Sequence, residues 1–200
     1  MAVVTATGIS FRYEPTQPVI ERLSFSLGRG KVLHLRGPNG SGKTTLLKLM
    51  ARVYEPEGGH LDLPRPEEVG WMPDTPALLE HLTLAEHLEL LSVLGRGFDH
   101  HAVLERVGLR GSADVLCGSA SFGMRRRLSF GIATALPRRL LLLDEPFNGI
   151  DTAFVQRMER IILDLVGGGT AVVVATHADL EFRGVSAEQL DMAEPWGEPL

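Results

Sequence analysis

A glycine-rich stretch near residue 40 has the residue types of a phosphate-binding loop. The sequence Gly37-Pro38-Asn39-Gly40-Ser41-Gly42-Lys43-Thr44 satisfies the pattern G-x-x-x-x-G-K-[ST] at every fixed position, and Thr45 follows it directly. Glycines let the backbone curl so that several N–H groups face one phosphate chain, and the helix that follows adds its positive N-terminal dipole. Lys43 is then expected to reach the β- and γ-phosphates, and the Thr44 hydroxyl to ligate Mg²⁺. Because a strand pattern precedes the stretch and a helical pattern follows it, we interpret it as a nucleotide-binding site rather than a chance glycine-rich turn.

Two carboxylates directly after a run of leucines could supply the rest of such a site. The four leucines at 140–143 suit a strand buried on both faces, and this strand ends in Asp144 and Glu145. Ligands of open parallel sheets bind at the carboxyl ends of strands, and adjacent residues of an extended chain point to opposite sides. Asp144 is therefore expected to approach Mg²⁺ while Glu145 polarises an attacking water. The alternative for an isolated Asp-Glu pair is a solvated turn.

Strands that alternate with helices are expected to position these groups. Alternating or continuous apolar patterns predict strands at residues 3–13, 19–27, 31–36, 58–63, 68–72, 140–143 and 170–175. Helical patterns outside residues 76–118 predict helices at residues 44–51, 125–136 and 152–166. This order indicates a mainly parallel sheet preceded by an antiparallel hairpin.

The segment 76–118 has a helical pattern of its own. Thr83 and Glu86 form a capping box before an apolar stripe, and Asp99 is a candidate N-cap for a second helix. We therefore predict an inserted helical subdomain within a single domain that spans residues 1–200.

Composition excludes several classes of protein. The chain has 200 residues, of which 20 are Lys or Arg and 25 are Asp or Glu, so its net charge is -5. This balance argues against nucleic acid as the main partner, because phosphate backbones are bound by surplus basic residues. No apolar run reaches the roughly 18 residues of a membrane span. The single cysteine, Cys117, and a start without a secretory signal point to the cytosol.

Together these motifs, in their order, resemble the ATP-binding subunit of an ABC transporter, and the resemblance covers about residues 3–177. The short tail and the compact helical insert resemble those of the small ATPases of export systems in particular. The resemblance implies an α/β P-loop NTPase with a mainly parallel core sheet, an N-terminal antiparallel β subdomain and an inserted helical subdomain. It also implies a Mg²⁺-dependent ATPase that energises a separate transmembrane permease. Such a subunit pairs with a second one, as a homodimer or heterodimer, and lies on the inner face of the cell membrane.

The resemblance assigns roles to further residues. Tyr13 matches the aromatic that stacks on adenine, although packing on Pro15 is the structural alternative. Ser121 and Gly123 match the signature motif, which serves the nucleotide held by the other subunit. Asp151 matches the loop that crosses the dimer interface, and it is also a candidate helix N-cap. His177 matches the switch histidine that senses the γ-phosphate.

The chain departs from the family pattern at two places. Asp74 stands where the family has a glutamine that links the nucleotide site to the helical subdomain and the permease, and it is still expected to face Mg²⁺. The signature motif has Ala120, Phe122 and Met124 in place of Leu, Gly and Gln. The three arginines that follow, at 125–127, are interpreted as mostly a solvated helix face.

Other functions remain open on the sequence. ATP binding could act as a nucleotide-gated clamp between two subunits with weak or no hydrolysis, which Asp74 and the altered signature favour. An ABC-type ATPase outside transport is a further alternative, although such proteins usually carry coiled coils or two cassettes. A small-molecule kinase is possible for any P-loop, but the signature and switch motifs disfavour it.

Overall fold

The computed structural model describes residues 1–94, 97–177, 185 and 187–192. Its strands are β1 (Ala2–Glu14), β2 (Gln17–Gly28), β3 (Val32–Arg36), β4 (Gly58–Asp62), β5 (Val69–Met72), β6 (Leu140–Asp144), β7 (Ala171–Ala175) and β8 (Ala187–Asp191). Its α-helices are α1 (Lys43–Met50), α2 (Leu84–Leu94), α3 (His100–Arg106), α4 (Phe122–Ala133) and α5 (Thr152–Gly167), and short 3-10 helices lie at Pro66–Glu68 and Arg110–Ser112. Within these ranges, every helix is too short or too polar to span a bilayer.

The strands form two sheets. An antiparallel sheet has the order β2-β1-β4, and a parallel sheet has the order β5-β6-β7-β3-β8. The predicted hairpin and parallel core are therefore both present. The strand β8, which pairs parallel to β3 at one edge of the sheet, was not predicted. Its five residues include two carboxylates and a glutamine, and that polar composition hides an edge strand from any apolar pattern.

The parallel sheet is buried on both faces, as the run of leucines predicts. Leu141 and Leu143 pack into a core with α4 and α5, whereas Leu140 and Leu142 pack into a second core with α1 and the antiparallel sheet. All four are fully buried. Since successive side chains of a strand alternate between faces, one strand supplies both cores, and its first polar side chain stands at the carboxyl edge.

The helices α2 and α3 begin where the sequence predicts. Thr83 N donates to Glu86 Oε2 at 2.8 Å and Glu86 N donates to Thr83 Oγ1 at 3.1 Å, which is the reciprocal capping box. Asp99 Oδ1 accepts from Ala102 N at 3.1 Å and caps α3. Both helices share the core of α4 and α5.

The helix α4 lies three residues nearer the N-terminus than predicted. It begins at Phe122 because the Ser121 hydroxyl accepts a hydrogen bond from Met124 N at 3.2 Å and caps the first turn. It ends at Ala133, and Pro137 follows shortly after, which disfavours helical backbone in the residues before it. The apolar pattern alone continued to residue 136, so it overestimated the end.

We expect Gly70→Ala to destabilise the protein strongly. A Cβ at Gly70 would lie 2.2 Å from the carbonyl oxygen of Ala133, where the end of α4 packs against β5. Overpacking a site of this kind costs about 1–3 kcal/mol or more in the free energy of unfolding, which urea denaturation would measure. Gly111→Ala is the matched control, because a Cβ there meets nothing within 4 Å. Equal denaturation midpoints for the two variants would contradict this packing.

Candidate functional site

The glycine-rich loop connects β3 to α1 in a shape that only glycine tolerates at its last position. Gly42 caps α1 with a φ of 93°, and a Cβ there would lie 3.1 Å from the carbonyl oxygen of Val19. The N-terminus of α1 consequently opens directly behind the loop. Its free N–H groups and positive dipole favour an anion at this place.

Lys43 points its ammonium group into the curl of the loop. Its side chain is nearly buried, and Nζ donates to the carbonyl oxygens of Gly37 at 2.6 Å and Pro38 at 2.9 Å. Hydrogen bonds from an ammonium group to a phosphate are charge-assisted and stronger than those to a neutral carbonyl. The position therefore suits the predicted contact with the β- and γ-phosphates, which stays a prediction.

Asp144 stands at the carboxyl end of β6 next to the loop. It is 2% exposed, its carboxylate accepts a hydrogen bond from the Thr44 hydroxyl, and its Oδ2 atom has no hydrogen-bond partner among the described residues. Burial raises the pKa of Asp144 above its ordinary value, and the carboxylates of Asp74 and Glu145 raise it further, whereas Thr44 and Arg126 oppose the shift.

This pair of oxygen ligands fits Mg²⁺. A buried carboxylate oxygen without a partner, beside a hydroxyl, is the donor set that a hard cation prefers. Across the described ranges, His, Cys, Asp and Glu side chains form no group of three or more that could hold a metal. Mg²⁺ commonly keeps one or two protein ligands and completes its shell with phosphates and water, so Thr44 and Asp144 are sufficient here.

Glu145 is held by residues at the end of the neighbouring strand β7. Its Oε2 atom accepts from the Thr176 hydroxyl at 2.9 Å, and its Oε1 atom accepts from the backbone N–H of His177 at 3.2 Å. The imidazole Nδ1 of His177 lies 3.1 Å from the same Oε1 atom. The carboxylate is 15% exposed while the imidazole is 62% exposed. The glutamate thus has a defined direction, and the histidine is accessible to a ligand.

A single cavity of about 660 Å³ joins these groups. It brings together residues of the loop, the acidic pair, the aromatic, the position of the family's glutamine and the switch histidine. Its lining consists of Tyr13, Val19, Asn39, Gly40, Gly42, Lys43, Thr44, Thr45, Asp74, Asp144, Glu145, Asn148 and His177. The structure therefore assembles from distant segments what the motifs predicted separately.

Tyr13 lies at the rim of this cavity. Its hydroxyl is 3.1 Å from Thr45 Oγ1, and its ring meets those of Phe11 and Tyr54 edge-on at 5.1 Å and 5.6 Å. The residue is 52% exposed. The ring is thus held in place by its neighbours while it remains accessible, which is what stacking on a base requires. The stacking role stays a prediction.

The signature and interface residues do not line the cavity. Ser121 caps α4, and Gly123 lies close to the carbonyl oxygen of Gly149. Asp151 caps α5 by accepting from Phe154 N at 3.0 Å, and it forms an ion pair with Arg127. The N-cap interpretation of Asp151 is therefore correct. The roles of all three residues towards a second subunit stay predictions.

One interpretation of the sequence was wrong. The arginines at 125–127 were expected to form mostly a solvated face, but the side chain of Arg126 is fully buried. Its guanidinium donates to the backbone carbonyls of Asp74 and Glu145, and it lies 3.4 Å from Asp74 Oδ1. Helical periodicity allows one of three consecutive residues to face inwards. Because all three side chains are charged, the sequence gave no reason to place Arg126 in the core.

Sequence reasoning missed three further residues of the site. Val19 and Asn148 line the cavity, and the Thr176 hydroxyl holds Glu145. Asn148 and Thr176 flank predicted motif residues, so a weak signal existed for both. Val19 is an ordinary apolar strand residue, and only the folding of β2 over the loop brings it to the site.

Comparison with known proteins identifies relatives of one kind. The family model described as "ABC transporter" matches residues 20–148. The cytochrome c biogenesis ATP-binding export protein CcmA of Cereibacter sphaeroides is 38% identical over 176 residues, which cover 88% of this chain and 82% of that protein. The fluoroquinolones export ATP-binding protein of Mycobacterium tuberculosis is 32% identical over 188 residues. These cover 88% of this chain but 62% of that protein, so the chain spans less than two thirds of its length.

Solved structures agree with these relatives. A structure described as the ATP-binding subunit of an ABC transporter superposes with a TM-score of 0.80 at 25% identity, covering 88% of this chain and 79% of that one. The dimeric structure of a post-hydrolysis state of an ATP-binding cassette bound to ADP and Pi superposes with a TM-score of 0.79 at 21% identity, covering 88% of both chains. The predicted fold class is therefore confirmed.

We expect Asp144→Asn to raise the melting temperature at pH 7 in the absence of Mg²⁺. Because the folded state raises the pKa of Asp144, its ionised form lowers stability above that pKa, and the cost disappears as the pH falls through it. Asparagine keeps an oxygen for the Thr44 hydroxyl without the charge. In a chain of this size Tm rises by about 2–4 °C for each kcal/mol gained.

Thermal melts at several pH values, recorded by circular dichroism, measure this effect. Asp164→Asn on the exposed side of α5 is the control, and it should leave the melting temperature unchanged. The difference between wild type and Asp144→Asn should narrow in acid. A lower melting temperature for Asp144→Asn at pH 7 would contradict the argument.

Proposed function

This chain belongs to the ABC transporter family, and we propose that it is an ATP-binding subunit that hydrolyses ATP to drive transport through a separate membrane permease. One observation carries the proposal: a single cavity is lined by the phosphate loop, the acidic pair and the switch histidine. The residues concerned are Lys43, Thr44, Asp144, Glu145 and His177. The resemblance inferred from the motifs is confirmed by the matching family model and by relatives that are ATP-binding proteins of export and import systems.

Binding of the nucleotide follows from charge and geometry. The N-terminus of α1 and the ammonium of Lys43 offset the negative charge of the β- and γ-phosphates. The ring of Tyr13 stacks on adenine at the rim, and Asn39, Gly40, Ser41 and Thr45 surround the phosphate chain. Thr44 and Asp144 would hold Mg²⁺, with Asp74 facing it, and the ion would supply positive charge close to the phosphates.

Hydrolysis requires one oriented water and little covalent chemistry from the protein. Glu145 accepts a hydrogen bond from this water and aligns it with the γ-phosphate. Thr176 and the backbone of His177 fix the direction of its carboxylate. The exposed imidazole of His177 contacts the γ-phosphate and so reports its presence to Glu145. Catalysis is thus mostly positioning and electrostatics.

A second subunit completes the site. Ser121 and Gly123 lie at the N-terminus of α4, where free N–H groups favour an anion, yet neither lines the cavity of its own chain. We assign them to the nucleotide of a partner subunit, with Asp151 at the interface between the two. ATP then holds a homodimer or heterodimer closed, and hydrolysis opens it.

The permease is the other partner. We place the subunit on the cytoplasmic face of the membrane, where the segment 76–118 and the loop at Asp74 dock on the permease. This segment acts as an inserted helical subdomain of the single domain that spans residues 1–200. Nucleic acid is not expected to bind, because the net charge is -5.

A second candidate function is a nucleotide-gated clamp with weak or no hydrolysis. The position of Asp74 favours it, because a third carboxylate lines the cavity beside Asp144 and Glu145 and adds repulsion towards the phosphates. ATP would then close a dimer without efficient turnover. The turnover of the purified protein separates the two functions.

We expect Glu145→Gln to lower kcat for ATP by about 100-fold or more, because the amide cannot accept a proton or polarise water as a carboxylate does. Affinity for ATP, measured by calorimetry with Mg²⁺, should change by less than about threefold, since Lys43 and α1 supply most of the binding. Glu89→Gln, at an exposed position of α2, is the matched control. Equal turnover of wild type and Glu145→Gln would exclude Glu145-dependent hydrolysis and favour the clamp.

We expect Tyr13→Ala to weaken ATP binding and Tyr13→Phe to preserve it. Loss of base stacking costs about 1–3 kcal/mol, or about 5- to 150-fold in Kd, whereas phenylalanine keeps the ring and loses only the hydroxyl contact with Thr45. Fluorescence titration with a nucleotide analogue or calorimetry measures both variants. Unchanged affinity in Tyr13→Ala would place adenine elsewhere.

A further inference from the structure

Arg126 is a buried cation whose role the motifs do not explain. Its side chain is fully buried on the inner face of α4. Burial lowers the pKa of Arg126 below its ordinary value, while the nearby carboxylates of Asp74, Asp144 and Glu145 oppose that shift. A guanidinium stays charged in proteins, and a buried charge is tolerated only where it is paired and hydrogen-bonded. The partners of Arg126 should therefore reveal its purpose.

The two ends of the guanidinium bind different segments of the site. Nη1 donates to the carbonyl oxygen of Asp74 and lies 3.4 Å from Asp74 Oδ1 and from the carbonyl oxygen of Pro73. Nη2 donates to the carbonyl oxygen of Glu145 and lies 3.3 Å from that of Asp144. One planar group on α4 thus joins the segment after β5 to the segment after β6. Lysine could not make both contacts, because it lacks the fork of the guanidinium.

The backbone of Glu145 needs such a support. Its φ is 43°, in the left-handed region that non-glycine residues rarely adopt. Conformations of this kind persist only where the surroundings hold them. On one side the Glu145 carbonyl accepts from Arg126, and on the other side the carboxylate accepts from Thr176 and from the backbone of His177. The direction of the carboxylate therefore depends on a backbone that Arg126 holds.

An aromatic ring of the signature motif lies close to Arg126. The guanidinium carbon lies 5.8 Å from the centre of the Phe122 ring, at the position where the family signature has glycine. A ring at this distance attracts a cation. The altered signature and the buried arginine thus form one packed unit at the start of α4.

We propose that Arg126 is a positioning residue that holds Glu145 in its left-handed conformation and connects it to the segment at Asp74. The inference rests on the proposed function, because that function assigns the water to Glu145. A change at Asp74 is then transmitted to the carboxylate through one side chain, without any contribution from the phosphate loop. Arg126 should therefore affect the hydrolysis of ATP more than its binding.

The test compares Arg126→Lys and Arg126→Met with wild type. We expect kcat to fall about tenfold in Arg126→Lys and about 100-fold in Arg126→Met, since small displacements of a catalytic group have effects of this size. The Kd for ATP, measured by calorimetry, should change by less than about threefold. The partial rescue by lysine reflects the one contact it can keep. A general loss of structure would not separate kcat from Kd in this way.

Hydrogen exchange supplies a readout that needs no turnover. The backbone N–H of Asn148 donates to the carbonyl oxygen of Glu145 at 3.2 Å. In Arg126→Lys, peptides that cover residues 144–150 should therefore exchange faster, while peptides of α1 should not. Arg106→Lys is the matched control, because Arg106 is half-buried and donates to the carbonyl oxygen of Thr134 at 2.8 Å, away from the cavity. It should change neither kcat nor exchange at residues 144–150.

Two outcomes would overturn the inference. Unchanged kcat in Arg126→Lys would mean that the residue only packs, and a parallel loss of kcat and ATP affinity would mean a general structural role. Where Arg126→Met fails to fold, Arg126→Lys decides. Failure of the proposed function looks different: Glu145→Gln then turns over like wild type. Loss of turnover in Glu145→Gln with normal turnover in Arg126→Lys would overturn the role of Arg126 and leave the proposed function intact.

Discussion

The organisation of the site depends on the position at which a strand that is buried on both faces can carry its first polar side chain. Both faces of β6 are covered, so a charged side chain can stand only at its end, and Asp144 is the first residue there. The same constraint acts on β7, whose five buried residues precede Thr176 and His177. Because neighbouring parallel strands end at one edge, these polar groups meet beside the loop that follows β3.

Three carboxylates and two cations meet at this edge. The carboxylates of Asp74, Asp144 and Glu145 line one cavity with Lys43, and the buried guanidinium of Arg126 lies beside Asp74. Asp144 carries the cost of burial, as its raised pKa indicates. A divalent cation and a triphosphate supply opposite charges that match this arrangement. The site therefore gives up stability in order to bind its ligands, which is common for functional groups.

The departure from the family pattern at residue 74 has a local explanation. An aspartate in place of glutamine adds a negative charge beside two other carboxylates, and the guanidinium of Arg126 lies close enough to compensate for it. Most of the contact with Asp74 is made through its backbone carbonyl, which does not depend on the side chain. The aspartate carboxylate remains 54% exposed and is therefore free to face the cavity.

The sequence by itself determined the features that depend on the chemistry of a few neighbouring residues. The phosphate loop, the acidic pair, the capping box at Thr83 and the buried leucines each depend on a few adjacent residues, so their types and spacing predicted them. Arg126, Val19 and β8 depend on contacts between segments far apart in the chain. Arg126 is buried because α4 packs on β5, and Val19 reaches the cavity because β2 lies over the loop. The strand β8 is defined by its pairing with β3 and not by an apolar pattern of its own. A side chain carries its own chemistry, but its surroundings exist only after distant parts of the chain have come together.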